Sequence, residues 1–292
     1  MLSTFLRSPT YDWLVVGSNG SIGSEITHGL SKSFGKDQIS FVFQCAHSRH
    51  QFSEACQTLL RNHSMGGPLR VIFSAGRGGF SLDTESALQQ KLEFEQFCRS
   101  LTSWRSLDRF VLISSLGAHC SQIQSPYQEL IFAKEQSVLE HFGQQGLILR
   151  LPSMYGWNRH AQRYHGLIGI LLRQLRQRLP ANVYARMETR RNYLSVNGLV
   201  STLISQSVQG PVLGRRGIVN IQAATNLSIF DVCASFFRAT RHRPVLRLLR
   251  PLGVDAEHHF PSLVGDASVA INDSVEAWIK WQWRQSYRAL QS

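Results

Sequence analysis

The sequence predicts an α/β protein built on a doubly wound parallel sheet, with a smaller C-terminal extension. Three observations predict it. Five short apolar runs lack polar alternation, at residues 13–16, 39–43, 71–73, 110–113 and 147–151. Stretches of helical period lie between them, at 22–34, 52–61, 84–102 and 127–142. A glycine-rich turn stands where the first run meets the first helical stretch. Strands buried on both faces read as unbroken apolar runs, which is the mark of a parallel sheet. Their alternation with helices implies right-handed crossovers that cover both faces.

Beyond Arg150 the pattern loosens. Residues 166–179 read as a basic helix with Arg173, Arg176 and Arg178 near its end, and 194–208 as a second helix. Residues 217–221 read as a short strand, 229–239 as the helix after it, and 272–289 as an aromatic helix. In that last helix Trp278, Trp281 and Trp283 are expected to pack rather than react. There is no internal repeat and no low-complexity linker. The reading is therefore a doubly wound core over 11–155 and a mixed extension over 156–292, packed on the core and not independent of it; the turn and resemblance described below make the first dinucleotide-binding and the second substrate-binding.

Composition narrows the function classes. The chain has 292 residues, 43% of them hydrophobic and 17% charged, which suits a sizeable core and argues against disorder. No run of ~18 apolar residues is present, so no membrane-spanning helix is expected. Residues 1–10 carry one Arg and too short an apolar stretch for a secretion signal. Cys45, Cys56, Cys98, Cys120 and Cys233 are scattered and form no Cys-x-x-Cys pair. They read as reduced thiols of a cytoplasmic protein. The adjacent His258 and His259 point apart on any regular element, so no metal site is expected.

The formal net charge is +12, and it is uneven. Residues 1–149 carry 12 basic and 12 acidic side chains, whereas 150–292 carry 19 and 7. The second half thus points to an anionic partner: a phosphate-bearing small molecule, or, as a more distant reading, an acidic lipid surface. Nucleic acid is disfavoured, because no zinc-finger spacing or RNA-binding aromatic motif occurs.

The chemistry-bearing turn is Gly17-Ser18-Asn19-Gly20-Ser21-Ile22-Gly23, directly after residues 13–16. Gly17 suits the tight turn, Gly20 a close approach of backbone to a diphosphate, and Gly23 the packing of helix on sheet. The phosphates would rest on N–H groups at a helix N-terminus, where the dipole favours negative charge. Downstream of the second run no acid stands between Ile39 and Gln51 to accept from a ribose hydroxyl. Ser48 and Arg49 stand there instead and suit a 2′-phosphate, so NADP is expected, with NAD as the alternative.

The spacing Gly-x-x-Gly-x-x-Gly resembles that of the short-chain dehydrogenase/reductase superfamily, whose core is a Rossmann-type sheet. Ser74-Ala75-Gly76 resembles the turn that passes the adenosine ribose there. Residues 109–115 resemble the strand that ends in the family's substrate-orienting hydroxyl, here Ser115. Ser125-Pro126-Tyr127 and Ala133-Lys134-Glu135 resemble the two halves of the active-site helix in the extended branch, which holds nucleotide-sugar epimerases and dehydratases. In that family the Tyr is the general acid/base, and a Lys four residues later lowers its pKa and holds the nicotinamide ribose. Here Ile131 stands four after Tyr127, and Leu130 stands four before Lys134. On one helix Tyr127 and Lys134 would be ~10 Å apart along the axis, against ~6 Å for the usual pair. Three arrangements follow. Tyr127 sits on a non-helical lead-in that folds back, or a helical bulge absorbs the offset, or only Lys134 is placed and Leu130 replaces the acid/base.

Residues 147–156, with Tyr155-Gly156 at their end, resemble the branch's next strand and loop, and Tyr155 is expected at the substrate. Residues 190–197 resemble the segment that normally ends in Val-Asp-Asp, where an Arg just upstream contacts substrate phosphates. Arg190 and Arg191 are the candidates here, and Asn197-Gly198 replaces the acidic pair. The resemblance implies an NAD(P)-dependent epimerase, dehydratase or ketoreductase acting on a nucleotide-linked sugar or a related hydroxy/keto compound. It also implies a homodimer paired through the active-site helix. The alternative is a catalytically silent NADP(H)-binding sensor or scaffold of the same fold.

Overall fold

A computed structural model describes residues 12–34, 41–43, 68–76, 82–102, 106–119, 125–158, 163–209, 217–249 and 267–289. They divide into two compact units. The first comprises the described residues of Met1–Ser114, Ser125–Ile148 and Leu213–Gly217, and the second those of Ser115–Gln124, Leu149–Val212 and Ile218–Ser292.

The first unit contains β1 (Asp12–Val16), α1 (Ser21–Phe34), β2 (Phe41–Phe43), β3 (Leu69–Phe73) and α2 (Thr84–Thr102). β4 (Leu107–Ser115), α3 (Pro126–Phe142) and the start of β5 (Gly146–Leu151) follow. Its strands run in the order β5-β4-β3-β1-β2. β1 pairs in parallel with both β2 and β3, and Val16 stands opposite Phe43 on one side and Phe73 on the other. The chain leaves β1 for one neighbour and returns on its other side. Such a reversal opens a crevice at the carboxyl ends of the strands. Val15, Val16, Val71 and Phe110 are fully buried, as the continuous apolar runs require.

Phenylalanines fasten the helices to this sheet. Phe110 of β4 stacks on Phe142 of α3 at 4.3 Å, and Phe73 of β3 meets Phe94 of α2 edge-on at 4.7 Å. α3 begins in a capping box: the Ser125 hydroxyl accepts from the Gln128 N–H, the Gln128 side chain accepts from the Ser125 N–H, and Pro126 opens the first turn. Gly143 ends it with φ +45°.

The second unit carries β6 (Ser153–Asn158), β7 (Arg163–His165), α4 (Gly166–Gln177), β8 (Ala181–Val183), β9 (Arg190–Ser195) and α5 (Val196–Gln209). β10 (Gly217–Ala223), β11 (Asn226–Ser228), α6 (Ile229–Thr240), β12 (Leu246–Leu248), β13 (Ala267–Ile271) and α7 (Val275–Ala289) complete it. β10 pairs with β13 and β12 with β8, both in parallel, and a four-stranded sheet runs β11-β9-β6-β7. The core gathers Tyr155, Leu171, Val232, Phe236, Trp278 and Ile279.

Several expectations shift here. The helix expected from 194 starts at Val196, because Tyr193, Leu194 and Ser195 pair with Ser153, Met154 and Tyr155 of β6. The aromatic helix starts at Val275, where the Ser274 hydroxyl accepts from the Ala277 N–H. Trp278 packs inside, but Trp281 is 54% exposed and is not a core residue. Asp273, just before α7, accepts from the Ser195 N–H at 2.6 Å and from the Tyr155 hydroxyl at 3.2 Å.

Asp273→Ala strands two donors inside the unit and should lower unfolding free energy by about 1–3 kcal/mol. Glu276→Ala breaks only the exposed pair with Arg238 and should cost under about 1 kcal/mol. Urea midpoints check both; equal, small losses would contradict the strut.

Candidate functional site

The glycine turn lies at the mouth of the first unit's crevice. Gly17 has φ +86°, and a Cβ on it would stand 2.7 Å from the backbone of Ala75. A Cβ on Gly23 would collide with the Gly17 carbonyl at 2.2 Å. These two glycines are therefore demanded by the protein's own packing. Gly20 differs. Its N–H donates to the Gly17 carbonyl at 2.9 Å, it is exposed, and a Cβ on it would meet only the Gly17 oxygen, at 3.2 Å. Ser18 is fully buried, whereas Asn19 and Gly20 form the open crest ahead of α1. The crest thus offers bare backbone beside a helix N-terminus, which fits the diphosphate of a dinucleotide.

The next strand closes the other side. Both the N–H and the hydroxyl of Ser74 donate to the Val16 carbonyl, at 2.9 Å each. Gly76 takes φ +134°, and a Cβ on it would lie 2.7 Å from Gln90 Oε1 and 3.1 Å from Lys134 Nζ. Lys134 is only 6% exposed. Its ammonium donates to the Ala75 carbonyl at 3.4 Å and lies 5.4 Å from the Phe73 ring centre and 5.6 Å from that of Phe94. The structure thus brings Gly17, Ser74, Ala75, Gly76 and Lys134 together at the ends of β1 and β3.

α3 decides among the three arrangements for Tyr127. The helix is unbroken from Pro126 to Phe142 and Tyr127 is its second residue, so there is neither lead-in nor bulge. Tyr127 and Lys134 occupy roughly one face, two turns apart. Leu130, at the position where a hydroxyl would neighbour Lys134, is buried. Ser114 donates to the buried Glu135 of α3. Ser115, the last residue of β4, therefore points to the opposite side of the strand. The role of Glu135 as the partner of Ser114 is tertiary information, although an acid next to a Lys in an apolar helix marks the position. Cys98 is fully buried. Burial pushes that thiol up to about 12, against the pull of the Lys134 charge and with a push from Glu95.

In the second unit Tyr155 is fully buried, edge-on to Trp278, and its hydroxyl is taken by Asp273. It serves the interior, not a surface that a substrate could touch. Arg190 is exposed and pairs with Asp231 at 3.7 Å. Arg191 is half-buried, and its Nε–H is buried without a hydrogen-bond partner among the described residues. Ser48 and Arg49 lie outside the described residues. Among the described residues no three His, Cys, Asp or Glu gather into a metal site, and no helix is long and apolar enough to cross a membrane.

No family model matches the sequence, and no curated protein matches it. Solved structures do match the fold. UDP-glucuronic acid 4-epimerase of Bacillus cereus, in complex with UDP-glucuronic acid and NAD, superposes with a TM-score of 0.69 at 14% identity, over 94% of this chain and 99% of that one. UDP-glucose 4-epimerase of Thermotoga maritima gives 0.69 at 14% identity, over 96% and 99% of the chains. The dTDP-glucose 4,6-dehydratase of Bacillus anthracis, in complex with NAD, gives 0.68 at 12% identity, over 94% and 97%. The fold is the Rossmann-like α/β fold that these enzymes share.

The raised Cys98 thiol has a consequence for stability. From pH 9 to about 12 the folded chain keeps a proton that the unfolded chain has lost. Stability should fall across that window, by about 1.4 kcal/mol per pH unit for this one group. Cys98→Ala should flatten the slope by that amount in urea titrations. An unchanged slope would contradict the assignment.

Proposed function

We propose that the chain is an NAD(P)-dependent epimerase, dehydratase or ketoreductase acting on a nucleotide-linked sugar or a related hydroxy/keto compound. The observation that carries the reading is the cradle at the ends of β1 and β3: an open crest at Gly20 and a buried ammonium from Lys134 beside Gly76. A bound nicotinamide supplies hydride acceptance and donation at carbon. The rest falls to this chain. Lys134 holds a ribose hydroxyl through its ammonium, Ser115 orients the reacting oxygen, and Tyr127 moves a proton at that oxygen. Arg190 and Arg191, neighbours on β9, are the candidates for contacts with a substrate phosphate. The fold neighbours whose bound coenzyme is known from their structures hold NAD. A preference for NADP rests on Ser48 and Arg49 alone.

A second reading is favoured by one observation. Leu130, not a hydroxyl, stands one turn before Lys134 on an unbroken helix. With no proton donor at that level the chain would bind a dinucleotide and turn nothing over, serving as a sensor or scaffold.

One assay separates the two. Protein is mixed with oxidised or reduced coenzyme and a panel of nucleotide sugars and keto-sugar nucleotides. Nicotinamide absorbance reports a ketoreductase, and the sugar products, read by NMR, report an epimerase or dehydratase, which returns its hydride and leaves absorbance unchanged. The first reading expects turnover that Tyr127→Phe lowers by about 10²–10⁴-fold. A silent wild type whose Leu130→Tyr variant is active establishes the second reading. Unchanged absorbance and unchanged sugars in wild type and Leu130→Tyr alike would overturn the enzymatic reading.

A further inference from the structure

The second unit exposes a continuous contour of apolar and basic side chains that the dinucleotide cradle does not use. Tyr184, Phe230, Phe237, Val245 and Leu248 are each between 40% and 64% exposed. Backbone contacts bring the segments that carry them side by side. The Phe230 N–H donates to the Met187 carbonyl at 3.3 Å, which ties the segment after β8 to the start of α6. Phe230, Ala234 and Phe237 then lie along the exposed side of α6. The Arg243 guanidinium covers the Phe237 ring at 5.0 Å, where the chain turns from α6 toward β12. β12 runs beside β8, with the Ala181 N–H on the Val245 carbonyl at 2.8 Å and the Leu249 N–H on the Val183 carbonyl at 2.9 Å. That returns the contour to Tyr184.

Its charge is lopsided. Arg241, Arg243 and Arg247 are exposed along it. Asp231 faces Arg190, and Glu276 faces Arg238, so those acids do not offset the three arginines. Interleaved guanidinium groups and exposed apolar side chains match a surface that offers phosphates above hydrocarbon. Single-stranded nucleic acid fits less well. Aliphatic Val245 and Leu248 give bases nothing to stack on.

We propose that this face docks on a bilayer containing anionic phospholipid: the arginines meet headgroup phosphates, and Phe230, Phe237, Val245 and Leu248 enter the interface. The proposal is independent of the chemistry at the cradle.

The test is co-sedimentation of the full chain with vesicles of phosphatidylcholine alone or mixed with phosphatidylserine. Binding should require phosphatidylserine, weaken with salt, and fall about fivefold per arginine removed at Arg241, Arg243 and Arg247. Phe230→Ser with Phe237→Ser, both exposed, should lower it while leaving the melting temperature in place. Lys32→Glu, Lys91→Glu and Arg99→Glu together make the same charge change as Arg241→Glu, Arg243→Glu and Arg247→Glu, but on the first unit, and should retain binding. Binding indifferent to phosphatidylserine would overturn the proposal, as would equal loss in both triple variants. So would a sedimentation equilibrium in which the Phe230/Phe237 variant turns a dimer into a monomer, since a second copy would then own this face.

Discussion

Everything at the candidate site depends on how closely two parallel strands let their carboxyl ends approach. Val16 and Phe73 are register partners, and one residue beyond them Gly17 passes the backbone of Ala75 with no space for a Cβ. Ser74 fastens that approach through two donors on one carbonyl. α1 can then start against the sheet only because Gly23 also lacks a Cβ. A crest of bare backbone at Asn19 and Gly20 is what remains, ahead of the helix dipole. Close packing below creates the open surface above.

The buried ammonium of Lys134 is the second fixture. A lysine this enclosed is tolerated because the Ala75 carbonyl and the faces of Phe73 and Phe94 surround it. Gly76, beside that ammonium, takes φ +134°, a conformation that suits glycine. An unbroken helix carries Tyr127 two turns from Lys134 and puts Leu130 between them.

Much of this was legible in the residues. The runs at 13–16 and 71–73 are apolar because both faces of β1 and β3 are covered, and the 84–102 helix shows in its period because one side meets the sheet. Short strands of the second unit were not legible. β8 and β12 are three residues each, too brief to show a period, and β9 carries polar Asn192 inward, where its amide meets the Ala223 backbone. The role of Asp273 was hidden for a different reason. It serves Ser195 and Tyr155 across 78 and 118 positions, and no local pattern reports so distant a bond. Tyr155 looked like a ligand-facing residue because Tyr-Gly motifs carry that association; its burial among Trp278 and its neighbours is tertiary information.

The most direct measurement is calorimetric titration of the purified chain and of Gly20→Val with NAD(H) and NADP(H). Gly20 is exposed and packs against little, so the variant should melt within a few degrees of wild type. The account predicts saturable heat with at least one coenzyme for wild type and its loss in the variant. Absence of heat with both coenzymes, or binding that the valine leaves untouched, would contradict it.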